Sequence, residues 1–167
     1  MKEAGLSSVD VNLSVSDGAF AGAVDAGQLY QNSGAAAGVN INIVQEPADG
    51  YWSNVWLKKP WCACYWSGRA TEDWMFSTAY ESGVPWNDTG WENERFQSLL
   101  MQGRAELDTG LRGEIYREMQ AICRDEGGTV VPMYQNYVDA KSNRVEHSGK
   151  TGNLWMLDNL RSCKRWW

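Results

Sequence analysis

Arg69, Glu72 and Asp73 stand within a span of five residues in the stretch Cys62 to Tyr80, CACYWSGRATEDWMFSTAY. An apolar and aromatic run ends there at Trp66, and a Ser67-Gly68 turn follows. Three charges delivered to one turn are more than packing needs. Arg69 is a fixed cation whose planar fork suits a carboxylate or phosphate of a ligand. Equally, it pairs with Glu72 or Asp73 at i+3 and i+4 if the turn is helical. Both readings stand together, because an arginine can leave an internal carboxylate for a ligand's. Asp73 also reads as an early-turn helix charge at the positive end of the dipole.

Tyr65 and Trp66 offer rings for stacking. Alternate side chains on a strand point to opposite faces, so one of them reaches a cleft, and Trp66 is the choice. Trp86 and Asn87 lie in a loop punctuated by Gly83, Pro85, Asp88 and Gly90, where they supply a second ring and an amide. Loop tryptophans that only cover an edge are as common.

Bond chemistry finds little support. There is no Gly-x-Ser-x-Gly elbow and no phosphate-cradling glycine loop, and the single histidine, His147, sits in a polar tail. Glu72 beside Asp73 is a poor glycosidase pair, since adjacent carboxylates rarely face each other across a bond. Cys62, Cys64, Cys123 and Cys163 lack the spacing of a zinc site and read as buried thiols or, less simply, one long-range disulfide. No metal, cofactor or catalytic residue is expected.

The 167 residues suffice for one domain, or for a large piece of something bigger. With 43% apolar and 22% charged residues the chain is globular. A formal charge of −6, without a basic stripe, argues against nucleic acid or an anionic membrane as partner. Ten tryptophans are the compositional outlier. Most are expected to pack inside, the remainder to line a surface or cleft. No apolar run is long enough to span a membrane. The start, MKEAGLSS, lacks a signal peptide's apolar stretch and reads as the last turn of a helix capped at Gly5.

The elements that must hold the turn follow from periodicity. Val9, Val11, Leu13 and Val15 alternate with polar residues, predicting a strand ended by Asp17-Gly18. Phe20 to Ala37 predicts a helix with Phe20, Ala23, Val24, Leu29 and Tyr30 on its apolar side and Gly38 as its C-cap. Its many alanines and glycines let it lie close on a sheet. Val39, Ile41 and Ile43 predict a second strand, parallel to the first, stopped at Glu46-Pro47. Asp49 to Leu57 predicts a short helix with Tyr51 and Val55 inward and Trp52 and Trp56 as further inward candidates. Trp61 to Trp66 predicts a third strand, whose carboxyl end delivers the charged turn, where open α/β sheets bind ligands.

Glu92 to Glu106 predicts a helix with Phe96, Leu99 and Leu100 on one face and Gly103 as its weak point. Asp108 caps the next, with Leu111, Ile115, Met119 and Ile122 recurring at helical spacing to Gly127-Gly128. Val130 to Tyr134 predicts a fourth strand, and the rest is a polar tail ending Lys164-Arg165-Trp166-Trp167.

Four stretches together resemble the C-terminal part of the extracellular solute-binding proteins of family 5, the peptide and oligopeptide type that serves ABC importers. They are KEAGLSSVDVNLSVSD, AAAGVNINIVQEPADGYW, YWSGRATEDWMFSTAY and DTGLRGEIYREMQAICRDEGGTVVPMY, the last being the most specific. The closing KRWW is similar to the ending of one subgroup. The resemblance implies an α/β, mixed-sheet lobe with flanking helices, a partial type-II periplasmic-binding-protein-like fold. Residues 1–136 would form an incomplete ligand-binding lobe and 137–167 a return segment toward another lobe. It further implies a small-molecule solute (peptide, sugar or related), an ABC permease as partner, a periplasmic or extracellular location for the full-length protein, and reversible binding by hinge closure.

Family members are about three times this length, so the chain is expected to be a fragment or a shortened product, with weak binding alone. One departure stands out. Where the peptide-binding branch has an aspartate for the ligand's ammonium, the aligned position here is Arg69, which cannot hold one. An oligosaccharide ligand on tryptophan platforms, or self-association of the truncated chain through an exposed aromatic face, are the alternatives.

Overall fold

The computed structural model describes residues 5–152 and 154–167. The chain divides into two compact units, Met1–Trp66 and Ser67–Trp167. The helical turn expected over residues 1–4 lies outside the described residues, while Gly5 has the left-handed backbone (φ 67°) of a C-cap glycine.

The first unit is a βαβ arrangement. Strand β1 (Val9–Val15), helix α1 (Ala23–Ala36) and strand β2 (Val39–Gln45) follow one another, and the strands pair in parallel from Val9↔Val39 to Val15↔Gln45. Leu13, Val15 and Ile41 are buried on the face that also receives Val24, Tyr30 and Trp61. On the other face polar residues pair across the strands, with Asn40 Nδ2 donating to Asp10 and Asn42 Nδ2 to Asn12, both at 2.9 Å.

Glycines set how near α1 comes to the sheet. A Cβ at Gly27 would stand 3.0 Å from Val15 Cγ1, and one at Gly34 would stand 2.9 Å from Ile41 Cδ1. The helix ends as expected, with Gly38 at φ 78°, but starts at Ala23 because Gly22 takes a left-handed conformation just before it. Leu29, expected inward, is 69% exposed. It is six residues from Ala23, on the far side of the helix, whereas Tyr30 is seven away and returns to the sheet.

The expected third strand is reduced to one parallel bridge, Ser14↔Cys62. Ser14 donates to the Trp61 carbonyl at 3.1 Å and accepts from Ala63 N–H at 2.8 Å. The ladder stops there because β1 has ended. The Ser16 carbonyl that Tyr65 would need accepts from Ala19 N–H within the turn at 2.9 Å. Helix α2 (Tyr51–Asn54) sits below, with Tyr51 and Val55 buried as expected. The Tyr51 hydroxyl donates to the Ala63 carbonyl at 2.6 Å, which ties this extended stretch to α2. Burial, then the nearby Cys62, pushes the Tyr51 hydroxyl pKa up.

The second unit is helical. Helix α3 (Glu72–Ala79) is capped by Thr71, whose hydroxyl accepts from Trp74 N–H at 3.2 Å. Helix α4 (Glu94–Ala105) starts two residues later than expected, capped by Asn93, and helix α5 (Thr109–Glu126) is capped by Asp108, as predicted. Phe76, Phe96, Leu99, Leu100 and Met119 form the core. Leu111 is 52% exposed, one turn beyond the contact. Gly103 is not a weak point. It is buried, and a Cβ there would lie 3.2 Å from the Tyr116 ring and 3.3 Å from Ile115, so its missing side chain lets α4 and α5 touch.

The expected fourth strand does not form. Val130 to Tyr134 is irregular, pairs with nothing among the described residues, and exposes Val130, Val131, Met133 and Tyr134. The reason is the lack of a partner, since the second unit forms no strand among the described residues. The tail is held by an antiparallel bridge, His147↔Trp166, and by Asp158, only 3% exposed, which pairs with Arg165 at 2.8 Å. Among the described residues no helix is long and apolar enough to cross a membrane. None of the ten tryptophans is buried: Trp52, Trp74, Trp86, Trp155 and Trp167 are exposed and the rest are half-buried. The cysteines are thiols, and Cys163 is exposed and the other three half-buried rather than fully buried.

Candidate functional site

The boundary between units falls at Trp66, so Tyr65 and Trp66 belong to the first and the other candidates to the second. In the first unit an aromatic shelf forms. Trp52 meets Tyr51, Trp56 and Tyr65 edge-on with ring centroids 5.5–5.7 Å apart, and Trp56 meets Trp66 at 6.5 Å. Edge-to-face contacts suit the ring quadrupoles and fix the rings. Tyr65 is the more accessible of the two candidates, at 59% exposed, while Trp66 is half-buried. Trp52 and Trp56 were not among the candidates. Their i, i+4 spacing was the signal that they share a helix side.

In the second unit Arg69 folds back on its own turn. One Nη donates to the Ser67 carbonyl and hydroxyl, both at 2.9 Å, and the guanidinium lies 5.3 Å from the centre of the Trp74 ring. This is a cation–π arrangement that holds the charge against an aromatic face. Asp73, expected as an i+4 partner, is held elsewhere: its Oδ1 accepts from Arg104 Nε at 2.8 Å and from the Tyr116 hydroxyl at 3.1 Å. Three residues before buried Phe76, Asp73 shares the inward side of α3, which brings it to α4 and α5. Burial, then the Asp73 charge, pushes the Tyr116 pKa up, and the Asp73 hydrogen bond raises that of Arg104.

Glu72 is exposed in the first turn of α3. Glu72 and Asp73 line a groove of about 740 Å³ together with Arg104, Arg112, Tyr116 and Arg117. Those four residues went unrecognised by sequence reasoning. Arg112 and Tyr116 are spaced i, i+4 on α5, with Tyr116 also packing against the core that holds Met119. Trp86 is 49% exposed in its loop. Asn87 knits that loop, donating to the Trp91 carbonyl at 2.8 Å and accepting from Thr89 at 3.2 Å. Among the described residues no three His, Cys, Asp or Glu side chains converge as a metal site would need.

No protein-family model matches the chain. Over 48 residues, 29% of its length, it is 44% identical to the oligopeptide-binding protein OppA of Bacillus subtilis strain 168, of which this covers 9%. In fold it is similar to HbpA2 from Haemophilus parasuis, with a TM-score of 0.62, 18% identity and 76% of the chain covered. It is likewise similar to the ABC transporter substrate-binding protein CtaP of Listeria monocytogenes, at TM-score 0.55, 21% identity and 74% coverage. The chain spans about a quarter of each of these structures, 27% and 26%. At those identities the structural likeness speaks for the fold alone. The resemblance stands: the fold is mixed α/β of the periplasmic-binding-protein type, and part of the sequence matches an oligopeptide-binding protein.

Proposed function

We propose that this chain supplies part of the ligand-binding lobe of an ABC importer's solute-binding component. It takes a peptide-like or other small polar solute, an anionic one included, outside the cytoplasmic membrane for delivery to a permease. The 44% identity with an oligopeptide-binding protein carries this reading. In it, residues 1–136 act as the lobe and 137–167 as a return segment, and the chain works by binding and not by bond chemistry. Tyr65, Trp66, Arg69, Glu72, Asp73, Trp86 and Asn87 are each proposed as ligand contacts in their own right. Arg69 favours a carboxylate over an ammonium.

A carbohydrate ligand is the second reading, favoured by the rings of Trp52, Trp56, Tyr65 and Trp66, since such platforms stack on sugars. Tryptophan fluorescence titrated with tri-alanine and with maltotriose separates the two. The peptide reading expects a saturable change with tri-alanine, at an affinity weaker than about 1 μM because one lobe provides only some of the contacts. A change with maltotriose alone would replace it with the carbohydrate reading, and no change with either would remove both.

A further inference from the structure

The groove of about 740 Å³ in the second unit has a lining whose charges do not cancel. Arg104, Arg112 and Arg117 face it from α4 and α5, and Glu72 and Asp73 face it from α3. Arg104 and Asp73 neutralise each other at 2.8 Å, with the Tyr116 hydroxyl on the same oxygen and Glu81 3.6 Å from the other side of the guanidinium. Arg112 donates one N–H to the Glu106 carbonyl at 3.1 Å, leaving its other donors. Arg117 has no hydrogen-bond or ion-pair partner among the described residues. Two cations therefore remain against one uncommitted carboxylate, Glu72, in a chain whose overall charge is −6.

Gly113 adds an independent observation. It lies in the interior of α5, where glycine weakens a helix relative to alanine. Packing does not require it: a Cβ there would meet nothing within 4 Å, in contrast to buried Gly103. Its effect is to leave the groove wall bare between Arg112 and Arg117. The first free N–H groups of α5 are already satisfied by Asp108 Oδ1, at 2.9 Å from both Gly110 N and Leu111 N. Recognition here therefore falls to side chains and not to the helix end.

We propose that this groove is a binding site for a small polyanion bearing carboxylate or phosphate groups. Arg112 and Arg117 donate to its oxygens, while Arg104 stays committed to Asp73 and Glu81. The planar guanidinium matches either oxyanion in two-pronged fashion. The inference goes beyond the transport reading by resting on Arg112 and Arg117, which that reading does not use, so tri-alanine and the two anions test them separately.

The test is calorimetric titration of the full chain with citrate and with pyrophosphate at fixed ionic strength. Saturable binding of citrate alone assigns the site to carboxylates, of pyrophosphate alone to phosphates, and of both to the shared oxyanion chemistry. Arg112→Gln and Arg117→Gln should each weaken binding about tenfold or more, the usual effect of losing a charge-assisted pair. Gly113→Leu should abolish binding while raising the thermal unfolding midpoint, which separates a filled groove from a lost fold. Arg95→Gln removes the same charge outside the groove, from an exposed pair with Glu118, and should leave affinity within about twofold. Failure of both anions to saturate, or an Arg95→Gln loss equal to that of Arg117→Gln, would overturn the proposal.

Discussion

Helices α4 and α5 and the stretch that follows them are built from similar apolar side chains with opposite results. Phe96, Leu99, Leu100 and Met119 are at most 1% exposed, whereas Val130, Val131, Met133, Tyr134 and Val138 are 52–92% exposed. The helices carry their apolar residues at helical spacing and find each other within the same unit. The later stretch carries a strand-like composition but meets no strand among the described residues of that unit to accept its backbone. Apolar content becomes structure only where a matching surface is within reach.

The sharpest way to break that contrast is truncation on both sides of it. Phe96→Ala should cost about 3–5 kcal/mol in urea denaturation, as expected for a ring removed from a closed core. A loss below about 1 kcal/mol would mean that the core is not tight. Next in size is the glycine between the helices. Gly103→Ala should destabilise by about 1–3 kcal/mol, because the new methyl presses on Tyr116 and Ile115. Gly113→Ala should have the opposite sign, stabilising by roughly 0.5–1 kcal/mol where nothing stands in the way. Two helical glycines with the same sign of effect would contradict the contacts assigned to them.

Tyr134→Ala, on the exposed side of the comparison, should change stability by less than about 0.5 kcal/mol. A larger effect would reveal a partner for this stretch. The last prediction concerns reactivity. Burial pushes the Cys123 thiol up to about 12 from an ordinary 9.0, so it stays protonated at neutral pH. Cys163 is exposed, and iodoacetamide at pH 8 should modify it well before Cys123. Since the folded-state value is raised, Cys123 leaves stability unchanged below pH 9. Above that, stability falls as pH climbs toward 12, because the unfolded thiol ionises first.

The sequence was most readable where a pattern and its partner lie close along the chain. The parallel pair β1–β2, the Gly38 cap, inward Tyr51 and Val55, and the Asp108 helix start all depend on contacts within a few dozen residues. The third strand was misjudged because periodicity at Trp61–Trp66 cannot reveal that the Ser16 carbonyl is already taken by a turn. The fourth was misjudged for want of a partner. Among the site residues, the pairing of Asp73 with Arg104, 31 positions away, could not be seen from spacing on one helix. Tryptophan number likewise did not predict burial, since the smaller Leu, Met and Phe side chains fill the cores and the indoles cover them.

The most direct test of the solute-binding reading is a backbone amide NMR titration of the chain with tri-alanine. The account predicts saturable shifts at one or more of Tyr65, Trp66, Arg69, Glu72, Asp73, Trp86 and Asn87. Shifts confined to other residues, or none at any of these with peptide in large excess, would contradict it.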